Sequence, residues 1–242
     1  MGILFASEAV AALIRLNDIF DKYLVVGLPE QKNVEATIAN HADLSVFIDT
    51  HIVVEPSLYP FVFNQLVDYF GLQWTEAHLI CGKTKLLPSY PHDIAYNALA
   101  LNNHLIHLSH HTDEEIVKRW RKEIVHVKQG YTRCTCLPVG KSAVITEDVH
   151  LAAQFMKLGY DVLTIKVGGV DLPGYLHGFI GGSGGTVDDY LVLNGSLQHH
   201  PESDQIKAFV SKHRMTIIEL HDKKLTDCGS ILYYTEKNEE TT

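Results

Sequence analysis

The chain has 242 residues, 46% of them apolar, and a formal net charge of −9. This length supports a substantial core in one large domain or two small ones. The acidic balance argues against a nucleic-acid partner, and no stretch approaches the length of a membrane span.

The first 23 residues are apolar but lack a basic leader. Glu8, Arg15, Asp18 and Asp21 interrupt them at helical spacing. That spacing predicts an amphipathic helix capped by Ser7, with Ala11, Leu13, Ile14, Leu16 and Ile19 on its buried face. Tyr23 to Gly27 reads as a strand stopped by Gly27 and Pro29. From there one pattern repeats: strand, turn, strand, helix, strand.

In the first copy, Leu44–Ile48 and Ile52–Val54 are strands about Asp49-Thr50. A helix over Ser57–Phe70 and a strand at Ala77–Ile80 follow. The second copy opens at Tyr90–Asn97, turns at Asn102-Asn103 and returns through Leu105–Leu108. Thr112 to Glu115 there has the form of a capping box, and Ile124–Val127 closes the copy. The third runs from Thr132 through a turn at Gly140 to Ala143–Thr146. Its helix covers Glu147–Leu158 and ends at Gly159, and Asp161–Ile165 is its last strand. The fourth leads from Gly178 to Tyr190–Leu193, with a helix starting at Pro201 and a strand at Met215–Leu220.

A fifth copy begins at Asp227–Tyr234 and runs out; its helix and last strand are the elements left over at the N-terminus. That split predicts a ring closed by the two ends of the chain, and the spacing lies in the range of repeat and propeller architectures. Residues 1–234 are expected to form one domain and 235–242 a disordered tail.

Several chemical signals fail on inspection. Gly140-Lys141-Ser142 resembles the end of a phosphate-binding loop, but Thr135 stands at the required earlier glycine. The four cysteines, Cys81, Cys134, Cys136 and Cys228, are scattered and form no disulfide framework, so free thiols in the cytoplasm are expected. The histidines His104, His107, His110 and His111, and the Cys134-Thr-Cys136 pair, could each attract a soft metal. Neither has the paired spacing of a structural zinc site, so no metal and no cofactor are expected.

What remains is Asp93, His177 and Cys228, each opening a module; His177 lies in the glycine-rich stretch 168–195. In a ring of modules, opening positions converge on the axis. A thiol, an imidazole and a carboxylate together suffice to attack an electrophilic carbon of a cationic substrate. A second thiol candidate is the Cys134/Cys136 pair beside Arg133, a cation that lowers thiol pKa values.

The ordered set Tyr90-Pro-His-Asp93, Gly130 to Gly140, Leu176-His177 and Asp227-Cys228-Gly229 resembles the pentein superfamily of guanidine-modifying enzymes. The likeness is strongest to small bacterial members built on the core alone. It implies an α/β fold, a five-module ββαβ propeller. It implies Cys228 as nucleophile, His177 as acid/base and Asp93 as guanidinium anchor, with Gly181, Gly182 and Tyr131 contributing to substrate binding. The third module reads Lys128-Gln129-Gly130-Tyr131 where the family has Glu-Gly-Gly-Asp, and Phe179 replaces an Asp. Two readings therefore stay open. One is a thiol-dependent hydrolase or transferase on a small guanidine- or amidine-like compound; the other is a non-catalytic binding or scaffold protein. The expected partner is a small molecule, with self-association as an open alternative.

Overall fold

The computed structural model describes residues 2–236. At the N-terminus, β1 (Gly2–Ser7) leads into α1 (Glu8–Ile14) and β2 (Tyr23–Leu28). The first complete module holds a one-turn helix α2 (Ala42–Ser45), β3 (Val46–Ile48), β4 (Ile52–Val54), α3 (Tyr59–Phe70), α4 (Leu72–His78) and β5 (Leu79–Cys81). The second holds β6 (Leu99–Leu101), β7 (His104–His107), α5 (Glu114–Arg119) and β8 (Glu123–His126). The third holds the one-turn helix α6 (Thr132–Thr135), β9 (Cys136–Val139), β10 (Ala143–Thr146), α7 (Val149–Lys157) and β11 (Asp161–Thr164). The fourth holds β12 (Gly184–Val187), β13 (Tyr190–Leu193), α8 (Ser203–Lys212) and β14 (Thr216–Glu219), and β15 (Leu232–Thr235) opens the last.

Each module is a three-stranded sheet with its second strand in the middle, antiparallel to the first and parallel to the third. The last sheet is assembled from both ends of the chain, in the order β15-β1-β2. Phe5 pairs with Leu232 on one side and Val26 on the other. The result is the five-module ββαβ α/β propeller of the pentein type.

The N-terminus supplies one more element than expected. Gly2–Ser7 is a fully buried central strand, and the helix behind it is short. An apolar run buried on both faces carries no alternation to distinguish it from a helix. Since α1 ends at Ile14, Leu16 is 81% exposed and Ile19 is exposed as well, instead of lying on a buried face.

Other boundaries shift for local reasons. Asp113, not Thr112, caps α5: its Oδ1 accepts from Glu115 N at 2.9 Å, while Oδ2 accepts from Lys83 N and Thr84 N. Asp148 caps α7 through the amides of His150 and Leu151, so that helix starts after Glu147. The helix of the fourth module, α8, begins at Ser203, two residues past Pro201. Residues 90–97 form turns, and the first strand of that module starts at Leu99. Thr235 is the last residue of β15, paired with Gly2, and does not belong to a tail; residues 237–242 lie outside the described residues.

Arg133 ties the centre together. It is 8% exposed, and its guanidinium donates to the carbonyls of Cys136, Gly181, Gly184 and Ile231, which belong to three modules. Among the described residues no helix is long and apolar enough to cross a membrane.

Candidate functional site

The segments that open the modules meet at the axis, and each contributes to one hydrogen-bonded ring. Asn97 Nδ2 donates to Cys134 Sγ at 3.1 Å and to the Asp43 carbonyl at 3.1 Å. Cys134 Sγ donates to Asp43 Oδ2 at 3.1 Å. Ser230 Oγ donates to the same carboxylate oxygen and is also 2.9 Å from the Gly181 carbonyl. Asn97 Oδ1 accepts from Arg133 N at 2.9 Å, which fixes the amide's orientation. Asp43, Asn97, Cys134, Gly181 and Ser230 come from modules one to five in order.

On one side of this ring opens a cavity of about 340 Å³. Its polar lining is His41, Tyr131, Cys134, His177 and Asp227, set among Ile38, Leu44, Leu172 and Phe179. Such a mixture, apolar walls with a few convergent polar groups, is the usual form of a small-molecule site. Tyr175 and Leu176 also line it and are exposed.

His177 lies on this wall, half-buried, with Nδ1 3.1 Å from the Gly178 carbonyl and its ring edge-on to Phe179. Tyr131 is also on the wall, and its hydroxyl donates to Asp93 Oδ2 at 2.6 Å. Asp93 is thereby held behind the tyrosine, 2% exposed, with Oδ1 unpartnered among the described residues. Burial and the Asp93 carboxylate push the Tyr131 phenol upward. Gly181 and Gly182 sit behind the cavity and are fully enclosed. A Cβ on Gly182 would stand 1.9 Å from Asp227 Oδ1, and one on Gly181 2.4 Å from the Arg133 carbonyl. Both glycines let neighbouring modules close on the axis, as only a residue without a side chain can.

Cys228 is not brought to the cavity. Its Sγ accepts from Asn194 Nδ2 at 2.8 Å, and it packs against the cluster containing Leu4, Val187, Val192 and Ile231. Burial and the Asp227 charge push this thiol up to about 12. Its neighbour Asp227 takes the axial side: Oδ2 accepts from Phe179 N at 2.9 Å, and Oδ1 lies 3.8 Å from His41 Nδ1. Burial pushes Asp227 up to about 6.

The thiol that reaches the cavity is Cys134, and sequence reasoning ranked it below Cys228. Burial first, then the Asp43 and Asp227 carboxylates, raise its pKa well above the ordinary thiol value. The Arg133 charge does not offset them, and its guanidinium bonds four backbone carbonyls instead of the sulfur. Asp43 is raised by its own burial and His41 lowered by its own. Neither His41 nor Asp43 stood out in the sequence. Their one available signal was position, just ahead of a module's first strand, as with Cys134.

The histidine-rich patch does not assemble into one site. His107 is buried and bonded to Gly130 O and Thr112 Oγ1, and burial pushes it down to about 4. His104 instead meets Tyr160 and Glu123.

Comparison with solved structures agrees with this architecture. Agmatine deiminase from C. jejuni superposes with a TM-score of 0.56 at 9% identity, covering 96% of this chain and 92% of that one. A dimethylarginine dimethylaminohydrolase from Pseudomonas aeruginosa, solved with citrulline, gives 0.51 at 9% identity over 90% and 91%. An amidinotransferase of the saxitoxin biosynthetic pathway from Microseira wollei gives 0.52 at 10% identity over 96% and 82%. At these identities the likeness establishes the shared pentein fold. No curated protein sequence matches the chain. By sequence, over residues 15–232, the chain belongs to the family described as "Family of unknown function (DUF6873)".

Proposed function

We propose that the axial cavity takes a small guanidine- or amidine-like compound, and that the protein acts on it as a thiol-dependent hydrolase or transferase. The observation that carries this reading is the placement of the Cys134 thiol, His177, Tyr131 and Asp227 around one cavity. Structural neighbours of this fold include an agmatine deiminase and an amidinotransferase, which supports the general chemistry.

The residues suit a planar cation. Asp227 supplies a carboxylate on the wall, Tyr131 and Phe179 supply aromatic faces, and Asp93 polarises Tyr131 from behind. A cation in the cavity favours the thiolate of Cys134, offsetting the two carboxylates that now raise its pKa. In the chemical step Sγ gives its proton to Asp43 Oδ2, 3.1 Å away, and attacks the central carbon. The C–N bond breaks, the departing amine takes a proton from His177, and an S-linked amidinium intermediate remains. Water for hydrolysis, or a second amine for transfer, then adds to the carbon and gives its proton to His177; the C–S bond breaks, and Sγ takes back the proton from Asp43. For Cys228 to serve instead, as the module order and the pentein resemblance imply, its Sγ would have to leave Asn194 Nδ2 and reach the cavity.

The test is a panel of small guanidines and amidines assayed for ammonia or amine release. Cys134→Ser is expected to lower the rate of any active compound by about 100-fold or more, with Cys228→Ser near wild type. Undiminished turnover by Cys134→Ser sinks the assignment. A second reading, binding without turnover, is favoured by one observation: the Cys134 thiol under the cavity is buried, and burial raises its pKa well above the ordinary thiol value. It predicts thermal stabilisation by a panel member with no product formed.

A further inference from the structure

His41, Asp43 and Cys134 each offer one ligand atom, and these atoms all lie within 4.8 Å of one another. The three side chains are 3%, 0% and 4% exposed. They come from opposite sides of the axis: two precede the first strand of module one, and the third precedes that of module three. Their backbones are fixed independently of any ion. Asp43 N donates to the Gly229 carbonyl at 3.0 Å, His41 N to that of Ile38 at 3.0 Å, and Cys134 N to Asn97 Oδ1 at 3.3 Å.

The donor set is selective. An imidazole nitrogen, a carboxylate oxygen and a thiolate sulfur suit zinc and its borderline neighbours, whereas calcium and magnesium need oxygen alone. Sγ and Oδ2 are 3.1 Å apart, already within the roughly 3.5 Å that two ligands of one tetrahedral ion keep. One thiolate and one carboxylate offset a divalent charge with no further counter-ion. Asp43 Oδ1, fully buried, has no partner among the described residues.

The surrounding groups are those that support ligands at a built metal site. Asn97 Nδ2 donates to Sγ, Ser230 Oγ donates to Asp43 Oδ2, and the Asp227 carboxylate stands 3.8 Å from His41 Nδ1. His41 and Cys134 also line the 340 Å³ cavity, so a fourth coordination position faces open space. Three protein ligands and an open position describe a reactive zinc centre, not a closed structural one.

We propose that His41, Asp43 and Cys134 bind one divalent ion of the zinc class, with its fourth position open to the axial cavity. Binding sends the Cys134 proton to solvent. The proposal stands on ligand geometry and does not rest on the guanidine reading. The two occupancies of Sγ exclude each other, since a metal-bound sulfur is not free to attack carbon.

The experiment is a cobalt(II) titration of the tag-free, chelator-treated chain. One equivalent is expected to give a thiolate-to-cobalt charge-transfer band in the near ultraviolet and to be displaced by zinc. Cys134→Ser abolishes the band, His41→Gln weakens binding by about 100-fold or more, and Cys228→Ser leaves both intact. Circular dichroism checks the fold of each variant; if Cys134→Ser does not fold, the His41→Gln affinity decides. No band in the wild type, a band surviving in folded Cys134→Ser, or unchanged affinity in His41→Gln overturns the proposal. Because no guanidine or amidine is present, a failed titration leaves the turnover assay to be judged separately.

Discussion

The Cys134 thiol points at Asp43 Oδ2, 3.1 Å away, across the axis that joins the third module to the first. The Cys228 thiol faces between the fourth and fifth modules, 2.8 Å from Asn194 Nδ2. Two cysteines at module openings therefore have opposite fates. In the first, the sulfur lies under a cavity; in the second it fills a seam, and the preceding Asp227 takes the axial side.

This contrast sets an order of alkylation. At neutral pH with no ligand or metal present, Cys81, the exposed cysteine, is expected to react first with iodoacetamide. Cys228, pushed up to about 12, should follow slowly, and buried Cys134 and Cys136 should be protected. Peptide mapping over time gives the order. A Cys228 that labels faster than Cys81 would mean its thiol is activated and would restore it as nucleophile.

Arg133 sets a second expectation. Its guanidinium satisfies carbonyls from three modules, and the residue is buried. Arg133→Met keeps much of the volume but strips those acceptors of a charged donor. A loss of about 3–5 kcal/mol is expected in urea or guanidinium unfolding. Arg133→Lys should recover only part, since an ammonium has no planar fork to span four acceptors. A Met variant within about 1 kcal/mol of wild type, the size of an ordinary substitution, would show that the carbonyls find other partners.

The module pattern was legible because turns such as Gly140 and Gly159 take positive φ where the sequence places glycine between apolar runs. The strand Gly2–Ser7 was not, since a run buried on both faces has no period to read. The site was half legible. Module openings do converge on the axis, but the residues that touch are Asn97 rather than Asp93, and Ser230 rather than Cys228. In modules one and three a single helical turn intervenes before the first strand, at Ala42–Ser45 and Thr132–Thr135. One turn is too short to leave a periodicity, so which side chain faces inward is decided by the neighbouring modules and not by local sequence.

Tyr131 and Asp93 offer a direct test of how the wall is braced. The tyrosine hydroxyl is the bonded partner of Asp93 Oδ2, and Oδ1 has none among the described residues. Tyr131→Phe leaves a buried carboxyl without either bond. A cost of about 1–3 kcal/mol is expected. Adding Asp93→Ala to Tyr131→Phe should cost less than Asp93→Ala does alone, because one partner is already missing. Strict additivity in this double-mutant cycle would mean the two groups do not interact energetically.

Glu147 carries the pH dependence that is simplest to assign. It is 9% exposed, accepts from Ile180 N at 2.9 Å through Oε1, and has no partner for Oε2 among the described residues. Burial raises its carboxyl from an ordinary 4.5 to about 8. A carboxyl raised in the folded state binds its proton more tightly there than in the unfolded chain. Its contribution is therefore complete below about 4.5 and is lost as pH climbs through about 8. Asp227, raised to about 6, acts in the same direction at lower pH. Stability measured by urea unfolding should therefore fall as pH rises from about 4.5 to about 8 and level off above it. Glu147→Gln imitates the protonated form and keeps an acceptor for Ile180 N, so it should remove about 1 kcal/mol or more of that fall. If the variant tracks wild type across this range, Glu147 ionises without penalty, and the fall belongs to other groups.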